Sequence, residues 1–95
     1  MFFSVHTMDG DPEQLLAAKR EHMDPVVARL APGHGAIASV TVRGEHGITV
    51  YNLWRDAQGA AAFTAEPEAQ DAQRRSGLPA PSSFAGYDGV EAVLY

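Results

Sequence analysis

Four histidines are the side chains of this sequence best suited to acid–base chemistry. They are His6, His22, His34 and His46, in a chain that contains no cysteine. Imidazole is the side chain whose charge changes near neutral pH, so each could take or give a proton under ordinary conditions. No His-x-His or His-x₃-His pair and no His–carboxylate pair at ligand spacing on one helix face occurs, so a local metal motif is absent. We therefore consider them first as general bases.

Three of these histidines are candidate catalytic residues. His6 shares one face of a predicted strand with Ser4, where both could line a pocket between the sheet and the helices. His22 lies on or beside the packed face of a predicted helix, and His34 between two glycines could be presented to the mouth of a cleft. Each also has a structural interpretation as a packed or edge residue. His46, in a predicted hairpin loop, is expected to be solvated.

A second group of residues could bind a substrate. Trp54 offers a large apolar ring and one N–H donor for stacking on a planar aromatic molecule, although it also suits plain core packing. Tyr51 could extend the same wall, and Asn52 or Arg74 could hold a phenolate or a developing enolate. Arg74 belongs to the only basic pair in the last 40 residues. An enzyme built this way needs an open cavity bordered by Trp54 and at least one histidine.

Several functional classes are excluded or disfavoured by composition. A formal net charge of −5 is opposite in sign to what phosphate neutralisation requires, so we expect no nucleic-acid partner. The sequence has no Gly-rich phosphate loop, no Gly-x-Ser-x-Gly elbow and no Cys nucleophile, which argues against nucleotide-dependent and common acyl-enzyme chemistry. No apolar run long enough to span a membrane and no signal-like N-terminus occur, so we expect a cytoplasmic protein without a membrane partner.

The elements that must position these residues follow from hydrophobic periodicity and from Gly and Pro positions. The first helix is expected to be interrupted at Asp24-Pro25 and the second at Glu66-Pro67, because proline removes a backbone donor. Asp11 and Asp56 are the predicted N-caps. The predicted strands are 2–8, 36–43, 48–55 and 89–95, the predicted helices 12–31 and 57–75, with a hairpin loop at 44–47 and an irregular stretch at 78–83.

This order, β-α-β-β-α-β, predicts an α+β ferredoxin-like fold with two helices on one face of a four-stranded antiparallel sheet. Ninety-five residues correspond to one domain, so we expect a single domain over residues 1–95. The other sheet face is left uncovered in a chain that has no disulfides to compensate. We therefore expect a homodimer whose two sheets pack together.

The segment from Val50 to Phe63, which reads Val-Tyr-Asn-Leu-Trp-Arg-Asp-Ala-Gln-Gly-Ala-Ala-Ala-Phe, resembles the antibiotic-biosynthesis-monooxygenase family of dimeric α/β barrels. In that family a strand ends in Trp plus an acidic or polar residue, and the chain then enters a helix carrying an aromatic. Pro32-Gly33-His34 likewise resembles the family's Pro-Gly-aromatic turn. The resemblance covers most of the chain in element order and implies the same fold. Members include cofactor-independent quinone-forming oxygenases, haem-degrading enzymes, polyketide cyclases and proteins with no assigned chemistry.

The family's quinone-forming members share a pattern around the strand Trp. They have an Asn four residues before it, a Tyr six residues after it and an Arg about twenty residues after it. Trp54 and Arg74 match this pattern, whereas Val50 and Ala60 stand where the Asn and the Tyr would be.

The two departures bear on how far the family's chemistry can be carried over. Asn52 and Tyr51 could supply equivalent groups from nearby. Haem-degrading members need a proximal His on the second helix, and residues 68–75 contain none. We therefore expect no cofactor.

Two functional hypotheses remain open. The first is a small enzyme of secondary metabolism that acts on an aromatic, polyketide-like small molecule, as a cofactor-independent monooxygenase or as a cyclase. It would use His6, His22 or His34 as the general base, with Arg74 or Asn52 as the anion partner. The alternative is a non-catalytic dimeric ligand-binding or structural protein of the same fold.

Overall fold

In a computed structural model of the chain, residues 1–95 build a four-stranded antiparallel sheet with helical segments packed on it. The strands lie side by side in the order β2-β3-β1-β4. Their bounds are β1 Phe2–Asp9, β2 Ala36–Arg43, β3 Gly47–Trp54 and β4 Ser83–Tyr87. The helices are α1 Pro12–Ala18, α2 Asp24–Leu30, α3 Ala57–Thr64 and α4 Pro67–Ser76. The predicted α+β ferredoxin-like fold is confirmed.

The core lies between the sheet and the first helical arm, which is formed by α1, α2 and the turn between them. Met8 of β1, Leu15 of α1 and Ile48 and Val50 of β3 form one buried cluster, and Leu16 and Leu78 pack against it. The strand residues in this cluster alternate along β1 and β3, because side chains two apart in a strand point to the same face. The alternating sequence pattern therefore determines which strand residues face the helices.

The first helical arm is bent at a π turn, Lys19–Met23, which joins α1 to α2. The N–H of Asp24 donates to the carbonyl of Lys19, five residues earlier, instead of four. Pro25 has no N–H to donate, and its ring cannot approach the carbonyl of the preceding turn, so the regular ladder cannot continue through it. The sequence predicts the interruption at Asp24-Pro25, and the structure begins it at Lys19.

The last strand lies earlier than the sequence predicts. The prediction of a strand over 89–95 is wrong, because β4 comprises Ser83–Tyr87 and pairs antiparallel with β1. Gly86 disguises this strand, since a glycine reads as a break. A Cβ at that position would come within 2.8 Å of the far edge of the Phe2 ring, so the glycine lets this ring lie against the strand. The alternating pattern after Gly89 is a local signal that finds no partner strand within the chain.

The opposite face of the sheet carries no helix. By strand register, Val40, Val42 and Tyr87 all point to this face. Their exposed fractions are 57%, 47% and 54%, which is high for large apolar side chains. We name this surface the open face.

Candidate functional site

A cleft of about 160 Å³ lies between α2 and the end of the sheet where β2 begins and β3 ends. Small side chains make room for it, and they come from both the helical arm and β2. A cavity of about 150 Å³ is known to hold benzene, so the cleft has the size of one aromatic ring. Among the ten residues that line it are Ala28, Ala31, Ala36, Ala38, Asn52 and Trp54.

The rim of the cleft on β2 is an irregular strand. The pairing of β2 with β3 shifts between Ala36 and Ala38, so Ile37 is an extra residue in the ladder. Such a bulge bends its strand and occurs often beside functional sites. It opens the sheet edge above Trp54 and leaves Ile37 at the cleft wall.

Trp54 forms the inner wall of the cleft. The residue is 7% exposed, and its ring centroid lies 5.6 Å from that of Phe63 on α3. Asp56 starts α3 immediately after the strand, because its Oδ1 accepts a hydrogen bond of 2.7 Å from the N–H of Gly59. The sequence Trp-Arg-Asp therefore ends the strand and caps the helix that holds the tryptophan ring.

A row of three polar residues crosses the sheet beside the tryptophan. Ser4 lies opposite Asn52, and Asn52 lies opposite Ser39, so all three point to the helix side. Asn52 and Ser39 line the cleft directly. No enclosed polar side-chain atom of the structure lacks a hydrogen-bond partner. The Asn52 amide, which bonds to no other side chain, is thus accessible to a ligand.

His6 is the predicted base that shares a face with this polar row. It lies two residues after Ser4 in β1, directly opposite Val50 on one side and Phe84 on the other. Burial lowers the pKa of His6 below its usual value, and the nearby positive charge of Lys19 lowers it further. The imidazole is therefore kept in its neutral, proton-accepting form at neutral pH.

The other histidines lie elsewhere. His22 is on the π turn with its Nε2 3.8 Å from the Glu21 carboxylate. His34 ends the turn after α2, where its Nε2 is 3.0 Å from Glu66 Oε1. None of the three candidate bases belongs to the residues that line the cleft. The expected pairing of Trp54 with a histidine at one cavity wall is thus not present. His6 lies one row along the sheet beyond the Ser4–Asn52 pair.

His34 instead borders a separate, polar groove. This groove is open to solvent and lies at the start of α3, with Gly35, Arg55, Asp56 and Gln58 among its walls. The ring of Phe63 stands between the two sites, 6.2 Å from His34 and 5.6 Å from Trp54. The histidine predicted at a cleft mouth is therefore at the mouth of this second site.

Two predicted site residues, Tyr51 for substrate binding and Arg74 for catalysis, lie away from the cleft. Tyr51 points to the open face, where its ring is 6.1 Å from Phe3, because neighbours in a strand alternate and Asn52 faces the helices. Arg74 lies on the outer surface of α4, 70% exposed, with Asp71 at 3.4 Å. Neither lines the cleft within one chain.

Sequence reasoning missed Lys19 as a site residue. Its Nζ is 2.6 Å from Asp24 Oδ1, and only 16% of its side chain is exposed. Lys19 lies four residues after Leu15 and three after Leu16, so helical periodicity places it on the packed face of the arm. That spacing is the signal that could have found it.

Two kinds of feature are absent from the structure. No group of three or more His, Cys, Asp and Glu side chains is arranged to hold a metal ion. None of the helices is long and apolar enough to cross a membrane.

Comparison with known proteins places the chain by fold. No protein-family model matches the sequence, and no curated protein matches it. Solved structures do match, and several are described as antibiotic biosynthesis monooxygenases. A candidate monooxygenase of this kind from Chloroflexus aurantiacus J-10-fl superposes with a TM-score of 0.70 at 17% identity, covering 97% of this chain and 95% of that one.

Two more of these structures show how far the likeness extends. A candidate antibiotic biosynthesis monooxygenase from Nitrosomonas europaea gives a TM-score of 0.68 at 13% identity, with 96% and 100% of the two chains covered. SnoaB of Streptomyces nogalater, described as a cofactor-independent oxygenase, gives 0.66 at 12% identity, with 97% and 93% covered. At these identities the likeness shows a shared fold, as the resemblance in the sequence predicted.

Proposed function

We propose that the protein binds an electron-rich phenol in the cleft and acts on it as a cofactor-independent monooxygenase, with His6 as the general base. One observation carries the proposal. An apolar cleft of aromatic-ring size presents the Trp54 ring and an unpaired Asn52 amide on the same sheet face as a neutral, half-buried histidine. Ligand sites typically combine an apolar wall with a few polar groups in this way.

The distances along the sheet suit a small aromatic substrate. His6 is one row further along the sheet than the Ser4–Asn52 pair, so it is a diagonal neighbour of Asn52 at about 7–8 Å. Trp54 lies one row beyond Asn52 on the other side, so the rows of Trp54 and His6 are about 13 Å apart along the strands. A ring seated against Trp54 fills the enclosed part of the cleft, and a phenol of several fused rings extends from there towards His6.

The chemistry requires one base and dioxygen. His6 takes the phenolic proton, and the phenolate transfers one electron to dioxygen, giving a phenoxyl radical and superoxide. The two combine at the ring carbon para to the oxygen, and loss of water from the resulting peroxide gives the quinone. One phenol and one dioxygen thus yield one quinone and one water, and the proton held by His6 leaves in that water.

The same residues serve a cyclase. An enolate formed by proton transfer to His6 would attack a carbonyl of the same molecule, forming a carbon–carbon bond without an oxidant. The description of SnoaB as a cofactor-independent oxygenase supports the oxygenase form of the proposal. Because the fold is shared, that description suggests a type of reaction for this protein, while the chemistry itself must come from the residues described above.

Oxygen uptake tests the proposal. The protein is incubated with naphthols and hydroxyanthracene-type phenols, and the rate of dioxygen consumption is compared with quinone formation by absorbance. We expect one dioxygen per quinone, and a loss of about 10²–10⁴-fold in His6→Gln, as for removal of a general base. His22→Gln and His34→Gln are the matched controls and should keep their rates. Equal rates in all three variants would remove His6 from the reaction.

A second candidate function rests on a different observation. Because no histidine lines the cleft itself, the site is also suited to binding without catalysis. A protein of this kind would bind the phenols of the panel at the cleft and consume no dioxygen. Equilibrium binding measured in the same samples separates this ligand-binding protein from the enzyme.

We also propose that a second copy of the chain covers the open face. The apolar residues of this face are too exposed for a stable surface in a chain without disulfides. A two-fold partner buries the same patch on both copies. Sedimentation at micromolar concentration tests this, and a stable monomer would contradict it.

A further inference from the structure

We propose that Lys19 is the cation that holds the anionic oxygen of the substrate beside His6. The inference rests on the proposed function, since it supplies the positive charge which that reaction needs. Removing a phenolic proton leaves an anion in a largely apolar site, and such an anion needs a fixed donor or cation. The choice of Lys19 follows from the positions of the basic side chains.

Four of the seven basic residues are occupied by carboxylates on the surface. Arg29 pairs with Glu68 and Arg43 with Glu13, while Arg74 and Arg75 share Asp71, and all four are at least half exposed. Such exposed pairs contribute little and remain in solvent. These arginines therefore cannot serve a site beneath the helices.

The three remaining basic residues differ in burial. Arg20 and Arg55 are exposed and form no ion pair, and Arg55 borders the polar groove on the far side of Phe63. Lys19 is the one cation that is largely buried. Lys19 follows Leu15 by one helical turn, and Leu15 packs in the buried cluster with Val50, the residue opposite His6, so Lys19 lies over this part of the sheet. Its positive charge accordingly lowers the pKa of His6.

The end of α1 places Lys19 there, one turn after the buried Leu15. The π turn begins at Lys19 itself, and the pair with Asp24 fixes the end of the side chain at 2.6 Å. An ammonium group has three N–H donors, and Asp24 takes one of them. Two donors remain for a ligand oxygen, and Asp24 balances the charge when the site is empty.

The neighbours of His6 on the sheet leave this role to Lys19 alone. Val50 and Phe84, which flank His6 on the adjacent strands, carry no charge. An anion that forms when His6 takes a proton thus meets one cation on the helical arm. The arrangement favours phenols that bind as anions over neutral aromatic molecules.

Binding of 4-nitrophenol tests the inference without turnover, because its phenolate absorbs at a longer wavelength than the neutral form. Titrations at several pH values give separate affinities for the two forms. We expect Lys19→Met to weaken phenolate binding by about 10–100-fold, the range for a hydrogen bond to a charged group, and to leave neutral binding unchanged. Lys19→Arg should restore most of the loss.

Arg20→Met is the matched control, since it removes the same charge from the neighbouring, exposed position of the π turn. It should bind phenolate as the wild type does. The inference is overturned if Lys19→Met binds phenolate normally, if Arg20→Met loses as much, or if the wild-type protein binds no phenolate. Phenolate binding that depends on Lys19 in a protein that consumes no dioxygen would overturn the oxygenase and leave this inference standing.

Discussion

At the scale of single residues, the unusual feature is a half-buried histidine near a positive charge. His6 lies in the middle of β1, and both burial and Lys19 lower its pKa. Above its unfolded-state pKa of about 6.5, the imidazole is neutral in the folded and the unfolded chain. Below that value the unfolded chain binds a proton more tightly than the folded chain. His6 therefore costs stability as the pH falls.

This cost gives a prediction for pH-dependent stability. In urea unfolding, the free energy of unfolding of the wild type should fall below pH 6.5 more steeply than that of His6→Gln. His46→Gln is the control, because the side chain of His46 is 93% exposed in its loop. Parallel curves for wild type and His6→Gln would show that His6 has no depressed pKa.

Asn52 gives a second prediction at this scale. Its amide has no side-chain partner and faces the cleft, so Asn52→Leu should weaken binding of a naphthol by about tenfold while leaving the free energy of unfolding unchanged or higher. Naphthalene, which has no hydroxyl, is the control ligand and should bind both proteins equally. Unchanged naphthol affinity in the variant would exclude Asn52 from the binding site.

At the scale of elements, close backbone approaches hold the walls of the site in place. Gly59 in α3 packs so near the carbonyl of His34 that a Cβ would overlap the oxygen. This approach joins the turn after α2 to the helix that supports Trp54. A glycine in the first turns of a helix is a cost to helix stability, so the packing explains why it stands there.

Gly59→Ala should therefore lower the free energy of unfolding by about 1–3 kcal/mol, as overpacking does. Gly33→Ala is the matched control, since nothing lies within 4 Å of its Cβ position and its φ is not positive. That variant should be neutral or stabilised by up to about 1 kcal/mol. Thermal unfolding of both variants decides the point, and equal stability would contradict the close approach.

The elements also show where sequence reasoning works. The caps at Asp11 and Asp56 and the alternation in β1 and β3 are local signals, and the structure confirms them. Gly86 lies in β4 against Phe2, which is far away in the sequence, so no local signal explains a glycine in a strand there. The last strand was therefore predicted too late in the chain. Lys19 was missed for a different reason, because its spacing from Leu15 puts it on the packed helix face but a lysine is ordinarily expected to reach solvent.

At the scale of the whole molecule, the uncovered half of the sheet determines the assembly. Val40, Val42 and Tyr87 form an apolar surface that one chain cannot bury. Tyr51, predicted for the substrate wall, lies on this same face. The sequence could predict an uncovered face from element order alone, while the residues on it required the strand register.

The dimer gives a prediction at this scale. Val42→Glu places a charge within the proposed interface, so sedimentation velocity should show a monomer where the wild type is a dimer. Gln73→Glu on the exposed side of α4 adds the same charge and should leave the dimer intact. Identical sedimentation of Val42→Glu and the wild type would place the interface elsewhere.

The proposed phenol site lies between Trp54 and His6 on the helix side of the sheet. Titration of ¹⁵N-labelled protein with a naphthol, followed by NMR, tests this site. We expect the indole N–H of Trp54, the side-chain amide of Asn52 and the ring of His6 to shift together with one dissociation constant. Shifts confined to Arg55 and His34 at the polar groove, with Trp54 and Asn52 unmoved, would contradict it.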